Sequence, residues 1–252
     1  MTEAGRAGGF PGAGGRREEL TGRLRAVRER IEAACVAAGR DVGETTLVAI
    51  TKTWPASDVR LLHELGLTDF GENRDQEAGP KAAQCADLPI TWHFVGQLQT
   101  NKAVSVAGYA DVVHSVDRIR LVRALGAAAR RRGRVLTCLI QVSLDAPDEA
   151  RSGAVAERGG AAPAEVDALA EAVAATEGLL LGGVMAVAPM GVPAAEAFAG
   201  LAPAAAAVRA VRPEATIISA GMSGDLEAAV TAGATHLRIG TALLGGRPPR
   251  ER

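Results

Sequence analysis

Three features of this chain place reactive groups where they could act on a small molecule. They are a lysine ending an apolar run, an arginine inside another, and glycine- and serine-rich turns nearby in sequence. Leu47–Pro55 reads Leu-Val-Ala-Ile-Thr-Lys-Thr-Trp-Pro, so an apolar strand runs into Lys52 and Pro55 stops it. An ammonium at the end of a buried strand costs free energy unless it is hydrated, paired or used. Desolvation lowers a lysine pKa, and the freed amine can form a Schiff base with an aldehyde. A hydrated strand-end lysine explains the same residue without any chemistry, so the choice depends on what else reaches it.

Arg238 lies within the apolar segment His236–Ile239, on the face shared with His236 and Gly240. A guanidinium pointing inward needs an acceptor. A carboxylate such as Glu72 would serve, and so would a ring nitrogen of a bound ligand. The segments Ser219-Ala220-Gly221-Met222-Ser223-Gly224-Asp225 and Gly240-Thr241 can hold a phosphate. Their glycines allow close backbone approach, and the hydroxyls of Ser219, Ser223 and Thr241 can join free N–H groups at helix starts. Ordinary capped turns share this composition.

The four histidines (63, 93, 114 and 236) form no HxH or HExxH pattern, and no metal site is expected. No Gly-x-Ser-x-Gly elbow is present, and Cys138 sits in a strand with no evident base, which weakens acyl transfer. Cys35, Cys85 and Cys138 are widely spaced with no CxxC, and read as reduced, buried residues of a cytoplasmic protein.

The elements that must position these groups follow a rhythm. Glu18–Ala38 carries Leu20, Leu24, Val27, Ile31 and Ala34 at three- and four-residue steps, an amphipathic helix ended by Gly39. Strands are expected at Leu47–Lys52, Asp69–Gly71, Thr91–Gly96, Asp111–His114, Val135–Val142, Leu179–Val187, Thr216–Ser219 and His236–Ile239. Helices alternate with them at Ala56–Leu65, Glu72–Gln84, Asn101–Ala107, Arg118–Arg132, Ala164–Thr176, Ala194–Val211 and Asp225–Ala232, with Pro80 and Pro203 as expected kinks or breaks. Alternating β and α with apolar strands implies a parallel sheet covered on both faces. Eight units in about 200 residues fit a single (β/α)8 TIM barrel with an extra N-terminal helix. No GxGxxG follows the first strand, which removes the main reason to expect a Rossmann fold. In a barrel the C-terminal strand ends carry chemistry, and the loops after strands seven and eight are the usual phosphate site.

Residues 1–17 read as a disordered Gly/Arg-rich tail, 18–247 as the barrel and 248–252 as a loose C-terminal tail. A net charge of -1 with 3% aromatic residues gives no case for nucleic acid. No run of about 18 apolar residues suggests a membrane span.

A Schiff-base lysine, a phosphate cradle and a buried arginine together suit pyridoxal 5′-phosphate, an aldehyde with a phosphate arm and a ring nitrogen. An arginine cannot accept a proton from that nitrogen, so the electron sink would be weak. Five ordered motifs carry a resemblance over Glu18 to Arg247. They are Thr51-Lys52-Thr53-Trp54-Pro55, Phe70-Gly71-Glu72-Asn73, Trp92-His93-Phe94-Val95-Gly96 with Leu98-Gln99-Thr100-Asn101-Lys102, Gly221 to Ala228, and Arg238-Ile239-Gly240-Thr241. The chain resembles the YggS/PROSC group of pyridoxal phosphate homeostasis proteins. That resemblance implies a barrel like the N-terminal domain of alanine racemases, without their C-terminal β domain. It implies that Lys52 holds the cofactor and Arg238 faces the pyridine nitrogen. Ser219, Ser223, Gly240 and Thr241 would hold the phosphate, with Asn73, Met222 and His93 lining the pocket.

Thr51 and Trp54 depart from the family, which often has Ser before the lysine and Lys or Gln before the proline. The stretch Asp145–Gly160 is longer and more acidic than the resemblance leads one to expect. No catalytic residue is assigned, because the only tyrosine, Tyr109, falls near a helix end and a racemase needs a base on each face of its carbanion. The function expected is a non-catalytic binder that stores pyridoxal phosphate or delivers it to dependent apoenzymes. An amino-acid racemase is the alternative.

Overall fold

Eight parallel strands close on themselves in chain order, the last pairing back onto the first. The structure, a computed structural model, describes residues 13–145 and 159–246. The strands are β1 Thr46–Ile50, β2 Asp69–Glu72, β3 Thr91–Phe94, β4 Val112–Val116, β5 Leu136–Gln141, β6 Leu179–Met185, β7 Ile217–Ser219 and β8 His236–Ile239. Between and around them lie α1 Ala13–Ala37, α2 Ala56–Glu64, α3 Asp75–Gln84, α4 Ala103–Val106, α5 Ile119–Arg132, α6 Val166–Ala174, α7 Ala194–Ala199, α8 Leu201–Val211, α9 Leu226–Thr231 and α10 Thr241–Leu244. This is the expected (β/α)8 barrel with its extra N-terminal helix.

The helices lie on the barrel through apolar stripes. Leu20, Leu24, Val27 and Ile31 of α1 are buried, as are Leu121, Val122 and Leu125 of α5. At roughly 1.5–3 kcal/mol for each large apolar side chain removed from water, these stripes hold the helices more firmly than helix propensity could.

Several expected boundaries move. Helix α1 begins at Ala13, so residues 13–17, assigned above to a tail, are helical. Arg16 lies 4.4 Å from the Trp54 ring centre, bonds the buried Asp58 at 2.6 Å and reaches the Leu244 carbonyl at 3.1 Å. Three elements distant in sequence therefore hold the first turn of α1. Residues 1–12 and the tail 248–252 lie outside the described residues, as does most of the stretch Asp145–Gly160.

Strand β2 includes Glu72, and the next helix starts only at Asp75. Pro80 lies within α3 without ending it. The expected helix Ala194–Val211, which is long and apolar enough to cross a membrane, divides at Gly200 rather than Pro203. Pro203 sits in the first turn of α8, where its missing N–H costs nothing. Ala197, Phe198, Leu201, Ala204, Ala205 and Val208 are buried, so this helix pair covers the barrel.

Candidate functional site

Strand β1 stops two residues before Lys52. Trp54 N–H donates to the Thr51 carbonyl at 3.0 Å, closing a turn that lifts Lys52 off the strand end. Thr53 takes a left-handed conformation at φ 70° and is the only non-glycine to do so among the described residues. A β-branched residue there stores about 1–2 kcal/mol of strain. Its N–H donates to Glu77 at 3.1 Å, so α3 fixes the turn that carries the lysine.

Lys52 opens onto a cavity of about 340 Å³ at the C-terminal strand ends. Asn73, Met222, Ser223, Arg238, Gly240 and Thr241 also line it, so the structure brings together seven of the eight cofactor-contact residues expected from sequence. Two roomier hollows, of about 500 and 520 Å³, lie elsewhere and hold neither Lys52 nor Arg238. Chemistry, and not size, therefore identifies the site.

On one side, β2 delivers Asn73, whose Oδ1 is buried with no hydrogen-bond partner among the described residues. The backbone closes there because Gly96 lacks a side chain. A Cβ at Gly96 would fall 2.1 Å from the Asn73 carbonyl oxygen. On the other side, Ser223 and Gly224 after β7 meet Gly240 and Thr241 after β8. The Ala242 N–H donates to Ser223 Oγ at 3.2 Å, which ties the two turns together. Gly221, at φ 88°, makes the bend between β7 and this turn.

Arg238 is buried at 5% exposure. Burial pulls its pKa down to about 10, so it remains a cation at neutral pH. Among the described residues its polar partners are neutral, with one Nη donating to Ser219 Oγ at 2.7 Å and the other to the Ala186 carbonyl at 2.9 Å. The carboxylate considered for it, Glu72, is engaged by Lys81.

Ser219 itself does not line the cavity. It is fully buried in β7, and its hydroxyl lies between Arg238 and His114 Nδ1, 2.9 Å away. Its expected role in phosphate binding is therefore replaced by a contact behind Arg238, because closure of the barrel turns the end of β7 inward. His93 does not line the cavity either. Its ring is sandwiched between His114 and Asp69, at 2.8 and 2.9 Å.

Sequence reading missed Lys81. Its ammonium donates to the Thr51 carbonyl at 2.7 Å and pairs with Glu72, which also accepts from Thr51 Oγ1 at 2.7 Å. Burial pushes the Glu72 carboxyl up, despite Lys81 beside it. This cluster braces the Lys52 turn from below. A lysine separated by nine positions from its glutamate follows no local pattern, and only the helix returning along its strand joins them.

Among the described residues no group of His, Cys, Asp and Glu could hold a metal. Cys35, Cys85 and Cys138 are free and buried, with burial pushing the Cys138 thiol up to about 12. Tyr109 lies outside the Lys52 cavity, beside Asp75.

The histidines have a consequence for acid stability. His236 is pushed down to about 4, mainly by burial and then by His93. The unfolded chain binds that proton near pH 6.5, so stability is full above that pH and falls as pH drops towards 4. Allowing for partial contact with water, the loss is roughly 2–3 kcal/mol. Denaturant melts at about pH 7 and about pH 4 should show it, and His236→Gln should flatten the difference by that amount.

The sequence matches the family model of the alanine racemase N-terminal domain over residues 23–248. It is 45% identical over 248 residues to the pyridoxal phosphate homeostasis protein of Mycobacterium tuberculosis H37Rv, covering 92% of this chain and 94% of that one. Against the Escherichia coli K12 protein of the same name the identity is 37% over 235 residues, covering 91% and 97%. Among solved structures it is similar to PipY of Synechococcus elongatus with PLP bound, at TM-score 0.75 and 34% identity, covering 90% of this chain and all of that one. Alanine racemase from Corynebacterium glutamicum shares the fold at TM-score 0.67 and 13% identity, with 92% of this chain matching 62% of that one.

Proposed function

The chain belongs to the pyridoxal phosphate homeostasis proteins, within the alanine racemase N-terminal domain family, and from that premise we propose that it is a non-catalytic holder of pyridoxal 5′-phosphate in the cytoplasm. The cofactor is bound as a Schiff base on Lys52 and kept available to dependent apoenzymes. PipY, 34% identical, has been solved with PLP bound.

The residues present suit the group. The Asn73 Oδ1 is a buried amide oxygen without a partner among the described residues, at a cost of about 1–3 kcal/mol that a polar ligand would relieve. Ser223, Gly224, Gly240 and Thr241 supply hydroxyls and small residues on the β7/β8 side, where a phosphate arm fits. When bound, pyridoxal phosphate offers an aldehyde to an amine and an electron sink to a substrate. Lys52 supplies the amine. Arg238, a donor with no acceptor, would meet the ring nitrogen and leave it unprotonated. Met222 and Val187 line the same cavity and would give the ring apolar contact.

The observation that carries the non-catalytic reading is the lining itself. Among the described residues around the cavity, Lys52 is the only lysine, histidine, cysteine, tyrosine or carboxylate, and so the only side chain of a type that serves as a general base. Epimerising an amino acid takes a second such group on the opposite face. The family model's name favours a racemase as the second reading. Purified protein loaded with pyridoxal phosphate and given L- or D-alanine should show no turnover, and a rate above about 1 s⁻¹ would establish the racemase instead.

A further inference from the structure

Behind Arg238 the barrel interior holds a continuous polar chain, with the His236 ring packed beside it at 6.1 Å from that of His93. Arg238 bonds Ser219, Ser219 bonds His114, His114 bonds His93 and His93 bonds Asp69, with every link between 2.7 and 2.9 Å. The chain runs from β8 across β7, β4 and β3 to the first residue of β2. Asp69 thus stands at the opposite mouth from the cavity. We propose that Ser219, His114, His93 and Asp69 form a one-way hydrogen-bond relay that aims Arg238 at the cavity and ties its charge to the Asp69 carboxylate.

The two ends fix the direction. Arginine only donates, so Ser219 Oγ accepts from it. Against burial, which raises it, hydrogen bonds from His93 and Thr68 hold the Asp69 carboxyl below its ordinary value, so Asp69 is an ionised acceptor and His93 Nε2 carries the hydrogen facing it. If the Ser219 hydroxyl donates to His114 Nδ1, then His114 Nε2–H donates to His93 Nδ1 and every polar atom in the chain is satisfied.

The competing arrangement protonates both nitrogens of His93 and turns His114 round. It strands the Ser219 hydrogen in a fully buried site with no other acceptor among the described residues, at about 1–3 kcal/mol. It also adds a buried cation to a barrel that already holds Arg238. Burial above all keeps His114 far below its ordinary pKa, which agrees with the neutral form. The relay lets Arg238 be held without a carboxylate touching it. Two of its five N–H groups are bound behind, leaving donors for the cavity. Ser219, His114 and His93 are therefore positioning residues.

The direction can be read from the full chain with ¹⁵N-labelled histidine and no added ligand, independently of the function proposed above. At neutral pH both His93 and His114 should show protonated Nε2 and bare Nδ1. An Nδ1–H on either ring, or an imidazolium, overturns the relay. The positioning role rests on the proposed function and is read by pyridoxal 5′-phosphate affinity. Ser219→Ala should weaken binding about tenfold, the loss of one hydrogen bond to a charged group, and Ser219→Thr should recover most of it. Unchanged affinity in Ser219→Ala overturns the positioning role. Failure of the wild-type chain to bind the cofactor at all would strike the functional reading, while the histidine spectra still judge the relay.

Discussion

Lys52→Ala protein is expected to stay folded and to lose all covalent attachment of pyridoxal phosphate, together with the yellow colour of the loaded wild type. Lys52 sits in a turn outside β1 and outside the apolar core, so its truncation should change stability by less than about 1 kcal/mol. The other two lysines cannot replace it. Lys81 is clamped between the Thr51 carbonyl and Glu72, and Lys102 lies 3.6 Å from Asp75, away from the cavity. Binding through the phosphate side should persist weakly, as a noncovalent complex whose cofactor and colour gel filtration removes. An absorbance spectrum near the visible edge, taken beside a thermal melt, checks both parts.

The largest effect on stability is expected at Lys81. Replacing it with methionine keeps the volume of the stem and removes the cation from a carboxylate that is itself fully buried. Among the described residues Glu72 Oε2 already lacks a partner, and without Lys81 the other oxygen retains only Thr51. Breaking a buried pair on one side costs about 3–5 kcal/mol, whereas removing both charges is often nearly neutral. Lys81→Met should therefore lose that much in a urea melt, and Lys81→Met/Glu72→Leu should regain most of it. The same variant frees the Thr51 carbonyl, so the Lys52 turn should loosen. If the double variant is no more stable than the single one, the cost lies in packing and not in the exposed charge.

Much of the barrel could be read from the chain because its signal is local and repeated. Each apolar strand is followed by a helix with a three- and four-residue stripe, and eight such units leave few alternatives. Lys52, Asn73 and Arg238 were legible for the same reason, as each stands at or beside a strand end whose position the rhythm gives. What the sequence hid depends on closure. Ser219 has the spacing of a phosphate ligand, and only the inward turn of β7 puts its hydroxyl behind Arg238. His93, placed on the pocket wall by resemblance, lies a layer deeper, between Asp69 and His114. The start of α1 was invisible because Asp58, Trp54 and Leu244, which hold Arg16, are remote in the chain. Pro203 misled in a simpler way. A proline marks a break only when its missing N–H is needed, and in the first turn of α8 it is not.

The central claim is that one lysine, at the end of β1, holds the cofactor. The direct measurement is to load the full chain with pyridoxal 5′-phosphate, reduce it with borohydride, digest it and locate the modified lysine by mass spectrometry. The expected result is a single pyridoxyl group on Lys52. Modification at Lys81 or Lys102, or no modified peptide at all, would contradict it.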